Sequence, residues 1–551
     1  MSKKRRALFL GLLVAMLTLL LTACGGNEGN DDFFDPQLGW LDGAETTLDV
    51  GWTGIDMNIE ADLVLMMWGG GGMVWEQDIG SGHIDPASIT AGRFAGIVPV
   101  AQVFNTLFPN VRIHYYSPGW QNNWINQRNM FAMEHGMEAD VFMTDNLVAE
   151  IIGGHIADLT LFADDPVFDL FNPTIMRMMT HHDRLWGVPS HIVPYGIFVS
   201  RTLAENQNID VPPVDWTLRE FDDFARNSRA DDFYALGGVP WSIFNTLDQG
   251  FHHQLLWRQP GEPFVRMDTD SMRDIHRIVP GLAMHTLGFG GASTVWIDGR
   301  SHWRLFAEGA LLMFASDAWM LANAASPAHP DRVQIADWDL YPRPSSDWVG
   351  NHLGTVLDPL VARNFIMADG DPMTFTREQY TQLQLAWEFI RFFTADIRSY
   401  QARANFTFGA YGHAALAEGF PFVTGQLFYD MMDLYFVPEQ RRALANQTRF
   451  PGFHYIMQLW EHGQFWGLWG NAFPMSGQWE GGMRAIPYEW NNRASAAAIG
   501  AAVNEPHWFD QFAMHLPAWD SAFNDRWQER FDQILEAMFT WYPPGVRRPS
   551  F

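Results

Sequence analysis

The amino-acid sequence predicts an α/β fold that is built from two large domains. The chain has 551 residues, more than a single hydrophobic core usually organises. Hydrophobic residues make up 47% of the sequence and charged residues 18%, a balance typical of globular proteins. Short β-rich segments alternate with segments of helical spacing, and this alternation favours parallel sheets.

The N-terminus predicts secretion and lipid anchoring. A basic start is followed by the apolar run 7–21, which is short for a membrane-spanning helix and typical of a signal peptide. Leu21-Thr22-Ala23-Cys24 resembles a bacterial lipobox, in which Cys24 would carry the lipid. The alternative is an ordinary signal peptide followed by a chance cysteine. Because Cys24 is the only cysteine, an internal disulfide is excluded.

The first third of the chain predicts strands and a helix in turn. The apolar run 61–68 indicates a buried strand, and four glycines at 69–72 would allow a ligand to approach the backbone closely. These glycines do not form a nucleotide-binding motif. Residues 97–108 have helical spacing, and 111–115 alternate as a strand.

The middle of the chain predicts a strand, a turn and a helix. Residues 195–199 are apolar and β-rich, which indicates a buried strand. Pro212 and Pro213 stiffen the following turn. Thr217 with Glu220 three residues later forms a capping box, so a helix should begin there.

The later part predicts three further elements. Residues 309–314 indicate a buried strand that Ser316 and Asp317 break, so Trp319 should lie just beyond it. Residues 386–393 have the spacing of an amphipathic helix, and residues 520–542 predict the last helix.

These segments, in this order, resemble the family 1 extracellular solute-binding proteins, the binding subunits of ABC importers for sugars and oligosaccharides. Ser200-Arg201 departs from the family, in which Asn-Lys is usual. The resemblance spans roughly residues 61–400 and rests on these stretches: Ala139-Asp140-Val141, Trp186-Gly187-Val188-Pro189, Pro212-Pro213-Val214-Asp215-Trp216-Thr217, Phe306-Ala307-Glu308-Gly309-Ala310, Asp337-Trp338-Asp339-Leu340-Tyr341-Pro342 and Ala386-Trp387-Glu388-Phe389.

The resemblance implies a two-lobe periplasmic-binding-protein-like fold with a hinge and an interlobe cleft. The expected order is a signal peptide at 1–23, a tether and N-terminal extension at 24–60, lobe 1 at 61–190 with 341–394, and lobe 2 at 195–338 with 397–551. Lobes of this kind move as rigid bodies, and ligand stabilises the closed state.

The implied function is the capture of a carbohydrate, mainly an oligosaccharide, and its delivery to the permease subunits of an ABC importer. We expect a monomer, held by its lipid at the outer face of the cytoplasmic membrane, which is periplasmic or at the cell surface depending on the envelope. No cofactor is expected. The net charge of −28 argues against nucleic acid as a partner, because nucleic acids are bound through basic patches.

The candidate ligand-binding residues are aromatic and acidic. Aromatic rings stack on the apolar faces of sugars, and carboxylates accept hydrogen bonds from hydroxyl groups. For most tryptophans the alternative is the hydrophobic core, and for the two aspartates it is helix capping. The predicted set follows from positions at strand ends, after a turn or among glycines: Trp68, Asp145, Trp241, Trp257, Asp317, Trp319 and Trp466.

No catalytic or metal-binding motif accompanies these residues. The sequence contains no H-E-x-x-H, no G-x-S-x-G and no P-loop. We therefore expect a binding protein and not an enzyme. Since two catalytic carboxylates meet only in space, a cell-surface glycoside hydrolase stays an alternative. A binding protein for another solute, such as a peptide, is the second.

Overall fold

The structure is a computed structural model, and the residues that it describes all lie in one compact unit, Thr46–Phe551. The described residues are 48–67, 73–82, 94–119, 124–144, 146–228, 233–237, 262–263, 266, 296–297, 300–317, 338–345, 350–351, 353–365, 375–404, 407–408, 413–414, 419–435, 444–462, 465–469 and 516–541.

One end of the main sheet holds four strands in the order β2-β3-β1-β4. They are β1 (Ala61–Met66), β2 (Val74–Glu76), β3 (Val111–Ser117) and β4 (Val141–Met143). β1 runs parallel to β3 and β4, and β2 runs antiparallel to β3. Residues 63–66 are buried in succession, as expected for a parallel strand that is covered on both faces.

The other end of the sheet holds β8 (Tyr234–Gly237), β11 (Leu311–Asp317), β12 (Trp338–Tyr341) and β16 (Phe465–Trp469). β8 runs parallel to β11. Both β11 and β12 pair antiparallel with the end of one long strand, and β16 pairs parallel with the start of another.

Two long strands, β7 (Val188–Ser200) and β13 (Leu353–Ala362), join the two groups of strands into one sheet. They pair antiparallel with each other from Val188 opposite Leu360 to Tyr195 opposite Gly354. β7 is longer than the strand that the sequence predicts at 195–199. Pro189 and Pro194 did not end it, because the fixed φ of proline lies within the extended region.

Three two-residue pairs complete the described strands: β5 (Thr180–His181) with β6 (Arg184–Leu185), β9 (Trp296–Ile297) with β10 (Arg300–Ser301), and β14 (Thr407–Phe408) with β15 (His413–Ala414). The described α-helices are α1 (Phe94–Leu107), α2 (Trp124–His135), α3 (Leu147–Ile152), α4 (Pro173–Met178), α5 (Arg201–Gln207), α6 (Leu218–Asn227), α7 (His302–Ala307), α8 (Arg377–Ala395), α9 (Ile397–Ala404), α10 (Gly425–Tyr435), α11 (Pro451–Glu461) and α12 (Leu516–Trp541).

The predicted helix start at Thr217 and the three predicted helices are found in the structure. Thr217 and Glu220 form a complete capping box at the start of α6, as the sequence predicts. The predicted helices at 97–108, 386–393 and 520–542 correspond to α1, to the second half of α8 and to α12. The segment 386–393 is not amphipathic as predicted, because the surrounding elements bury every one of its residues. These segments carry strong local signals, which explains why their type could be predicted.

Two packing contacts bear on the lobe boundaries. Helix α9 packs against α1, and α12 packs against α3, so both helices lie beside elements of residues 61–190. Helix α11 instead packs against β12, at the other end of the sheet. The boundaries predicted from the sequence place α9, α11 and α12 together in lobe 2. No local sequence pattern shows which group of strands each of these helices packs against.

Candidate ligand-binding cleft

Three strands of the first group, β1, β3 and β4, end on the side that faces the second group. Met143 of β4 pairs with Leu360 of β13, and Val141 pairs with Ala362, so β4 runs towards the start of β13. Since β1 is parallel to both β4 and β3, the carboxyl ends of all three strands share this edge.

The strands of the second group end on the side that faces the first. β16 runs parallel to β13, from Phe465 opposite Leu353 to Trp469 opposite Val356. β11 runs from Met313 opposite Val199 to Asp317 opposite Tyr195, and it therefore points towards the start of β7. β8 shares this direction because it is parallel to β11.

The two sets of carboxyl ends therefore face each other along the β7–β13 pair. On one edge of β13, β16 ends opposite Val356 and β4 ends opposite Leu360. Four residue steps of an extended strand separate these positions by about 13 Å. In α/β proteins, ligands bind outside the carboxyl ends of the strands. The gap between the two edges is the candidate ligand-binding cleft.

A β-bulge marks the floor of this cleft. The register between β7 and β13 shifts between Leu357 and Pro359, so that two residues of β7, Ser190 and His191, lie opposite the single residue Asp358 of β13. Bulges of this kind are frequent beside active sites. Asp358 was not predicted as a site residue, because its sequence context of an apolar strand gives no sign of the bulge.

Two predicted site residues lie on one transverse row of the sheet. Asp317 of β11 pairs with Tyr195 of β7, Tyr195 pairs with Gly354 of β13, and Gly354 pairs with Trp466 of β16. Asp317 is thus the last residue of β11, at a strand end as predicted, but Ser316 and Asp317 continue the strand that the sequence predicts them to break, because both pair with β7. Tyr195 and Gly354 were not in the predicted set, because strand register depends on pairing between segments more than 100 residues apart.

The other five predicted site residues, Trp68, Asp145, Trp241, Trp257 and Trp319, lie outside the described residues. For four of them the preceding strand is described, and each of these strands, β1, β4, β8 and β11, ends at an edge of the cleft. Trp257 has no described strand immediately before it.

The loop after β4 is held at the cleft edge by several hydrogen bonds. Thr144 donates its backbone N–H to the carbonyl of Pro359 (3.2 Å), which fixes the loop to β13 beside the bulge. Asn146 caps α3 by accepting a hydrogen bond from the Ala149 N–H (3.0 Å). The alternative role of Asp145, helix capping, is therefore filled at α3 by the next residue.

Glu150 anchors this loop from beneath. Its carboxylate is fully buried and accepts two hydrogen bonds from the Arg128 guanidinium (2.7 and 2.9 Å). His155 Nδ1 lies 2.9 Å from the same carboxylate. Burial raises the pKa of Glu150, but the His155 hydrogen bond and the Arg128 charge outweigh it, so the pKa lies below its usual value.

A separate groove of about 560 Å³ lies beside α5 and the end of β12. Arg201 and Tyr341 contribute to its lining, together with Asp210 and the two prolines at 212–213. Burial and the nearby charge of Asp339 raise the pKa of Tyr341 to about 12, so its hydroxyl stays protonated at neutral pH. The described residues that line this groove include none of the predicted site residues.

Neither a metal centre nor a membrane span is found in the described part of the chain. Within those ranges, no three His, Cys, Asp or Glu residues are grouped so that they could hold a metal ion. No described helix is both long enough and apolar enough to cross a bilayer.

The fold is similar to solved structures of transport proteins. A sugar transporter from Rhizobium etli in an open conformation has 13% sequence identity, and the match covers 84% of this chain and 99% of that chain with a TM-score of 0.52. An ABC transporter solute-binding protein from Agrobacterium radiobacter K84 in complex with ribitol has 13% identity, 85% and 99% coverage and a TM-score of 0.50.

Sequence comparison adds nothing to this result, since no family model matches the chain and no curated protein matches it significantly. At 13% sequence identity, the similarity of this chain to the two solved structures shows the fold alone. The chain has the two-lobe α/β fold of the periplasmic-binding-protein type that the resemblance to family 1 solute-binding proteins predicts.

Proposed function

We propose that the protein is a solute-binding protein that captures a carbohydrate between its two lobes and delivers it to an ABC importer. The observation that carries the proposal is the arrangement of the main sheet. Strands β1, β3 and β4 end facing strands β8, β11 and β16 across the β7–β13 pair. Among the described strands, this arrangement creates a cleft with strand ends on both sides and the β7–β13 pair beneath it.

Carbohydrate is the proposed ligand class because of the residues at these strand ends. Trp68, Trp241, Trp319 and Trp466 would supply rings for stacking, and Asp145 and Asp317 would accept hydrogen bonds from hydroxyl groups. The two solved neighbours are consistent with this class, since one is a sugar transporter and the other holds ribitol.

The proposed lobes are joined by β7 and β13, and closure would bend these two strands. The β-bulge in β7 opposite Asp358 supports this role, because the ladder is already interrupted there. The contacts of α9 with α1 and of α12 with α3 support assigning these two helices to the first lobe. Lipid attachment at Cys24 would hold the protein, as a monomer, at the outer face of the cytoplasmic membrane.

A ligand screen tests the function. The purified protein is heated with ribitol, with neutral disaccharides and longer oligosaccharides, and with short peptides. A ligand at 100 times its Kd adds about 2.7 kcal/mol to native stability, which raises the melting temperature measurably. Stabilisation by a sugar that is recovered intact supports the proposal. Turnover of the sugar would favour the hydrolase, and stabilisation by peptides alone would overturn the carbohydrate assignment.

A further inference from the structure

We propose that Glu150 is a positioning residue for ligand binding, because its buried ion pair with Arg128 sets the conformation of the loop that carries Asp145. The inference rests on the proposed function. Glu150 itself lies on α3 and is fully buried, so it would act on the ligand only through the loop at 144–146.

The first step is the connection from the loop to Glu150. The Thr144 hydroxyl accepts a hydrogen bond from the Asn146 N–H (3.1 Å) and donates one to Glu150 Oε1 (3.4 Å). Thr144 is 2% exposed, so water does not replace these bonds. The residues on both sides of Asp145 are therefore held by one buried carboxylate.

The second step is the orientation of the carboxylate. Arg128 binds both oxygens of Glu150, and this bidentate geometry fixes the plane of the carboxylate as well as its position. Arg128 is itself held, because its guanidinium lies 4.2 Å from the centre of the Phe142 ring on β4. Helix α2, strand β4 and helix α3 are thus joined at one point directly behind the loop.

The third step is why a charged pair occupies this position. Burying an ion pair costs desolvation energy that its attraction barely offsets, and apolar residues of the same volume would often stabilise a fold equally well. What the pair supplies is directional geometry. At the carboxyl end of a strand beside the cleft, that geometry determines where the Asp145 loop meets a ligand.

The chain contains a matched control for this idea. Glu388 on α8 is also fully buried and also hydrogen-bonded to an arginine, Arg391 (3.1 Å). Its other hydrogen-bond partners among the described residues are in the segment 51–53, which is not a cleft loop. Glu150→Gln and Glu388→Gln remove the same charge from equally buried sites, of which only one lies behind the loop.

The experiment measures Kd and melting temperature for the wild type and both variants, with ribitol and neutral oligosaccharides as probes. Affinities are determined by calorimetry well below the melting temperature of each variant. We expect both variants to melt lower, and only Glu150→Gln to raise Kd, by about tenfold or more, which corresponds to about 1.4 kcal/mol. A Kd within about twofold of the wild type would overturn the inference and leave the proposed function intact.

A second variant keeps the test decisive if Glu150→Gln does not fold. Thr144→Val preserves volume and removes the hydroxyl that links the loop to Glu150. We expect a smaller rise of Kd in the same direction, and an unchanged Kd would overturn the inference. Absence of binding by the wild type with every probe would overturn the proposed function, and the inference with it.

Discussion

Thr53 donates both its backbone N–H and its hydroxyl to the same carboxylate oxygen, Oε1 of Glu388, which lies 335 positions later in the chain. Both distances are 2.8 Å. The Gly51 N–H donates to the other oxygen (3.1 Å), and Gln384 donates to the Thr53 carbonyl (2.7 Å). The last part of the proposed tether and N-terminal extension (24–60) is thereby bound along α8, because a buried carboxylate must be satisfied by donors.

Replacing Thr53 by Val should destabilise the protein. The substitution keeps the backbone bond but removes the hydroxyl from a buried charged acceptor, which costs about 1–3 kcal/mol in the free energy of unfolding. Urea denaturation measures this cost. The control is Thr381→Val, since the Thr381 hydroxyl is exposed and bonds only within its own helix, to the Arg377 carbonyl. A control that loses as much stability as Thr53→Val would contradict the explanation.

Two tryptophan substitutions should have opposite effects. Trp387 is fully buried, stacks between Phe162 and Phe168 at 5.3 Å, and donates its indole N–H to Asp165 (2.9 Å). Trp387→Ala should therefore cost about 3–5 kcal/mol of stability and leave the affinity of the folded protein unchanged.

Trp319→Ala should instead weaken carbohydrate binding by on the order of tenfold and leave the melting temperature of the ligand-free protein nearly unchanged, because stacking is worth about 1 kcal/mol or more. Calorimetric titration and thermal melting of both variants provide the comparison. A large loss of stability in Trp319→Ala with unchanged Kd would assign Trp319 to the core.

The buried Tyr341 predicts a dependence of stability on alkaline pH. Its pKa is about 12 in the folded protein and 10.0 as the reference for the unfolded chain. The raised folded pKa means that its contribution is complete below pH 10 and is lost as pH rises towards 12. The total is about 2–3 kcal/mol. Tyr341→Phe should therefore lose less stability than the wild type between pH 10 and pH 12, as measured by urea denaturation. Parallel loss in both proteins would refute this role.

Gly196→Ala should disturb the pairing of β7 with β12. A Cβ atom at Gly196 would lie 2.7 Å from the Tyr341 carbonyl oxygen and 2.8 Å from Leu340 Cδ1. Overpacking of this kind costs about 1–3 kcal/mol. Gly350→Ala is the control, because a Cβ there meets no atom within 4 Å. Thermal melting should show a lower melting temperature only for Gly196→Ala.

Cys24→Ser tests the proposed lipid anchor. If Cys24 carries the lipid, the wild type should be recovered with the membrane fraction, and mass spectrometry of the mature chain should show an acylated N-terminal cysteine. Cys24→Ser should leave an uncleaved precursor without lipid. A mature wild-type chain that begins elsewhere, or that carries no lipid, would disprove the anchor.

The sequence by itself determined the types of the main elements. The capping box at Thr217, the helical spacing within 386–393 and the apolar run at 61–66 each act within a few residues, so a local pattern is sufficient to recognise them. The order of these segments also carried the resemblance, and with it the fold. Asp317 could be placed at a strand end for the same reason.

Only the tertiary structure decided which of these elements meet. The row from Asp317 through Tyr195 and Gly354 to Trp466 depends on the register of four strands. The hydrogen bond from Thr53 to Glu388 joins residues that are 335 positions apart in the sequence. Strand register and burial of charged groups are set by long-range packing, and the residues themselves give no local sign of their partners. The bulge opposite Asp358 and the burial of Glu150 became apparent only in three dimensions for the same physical reason.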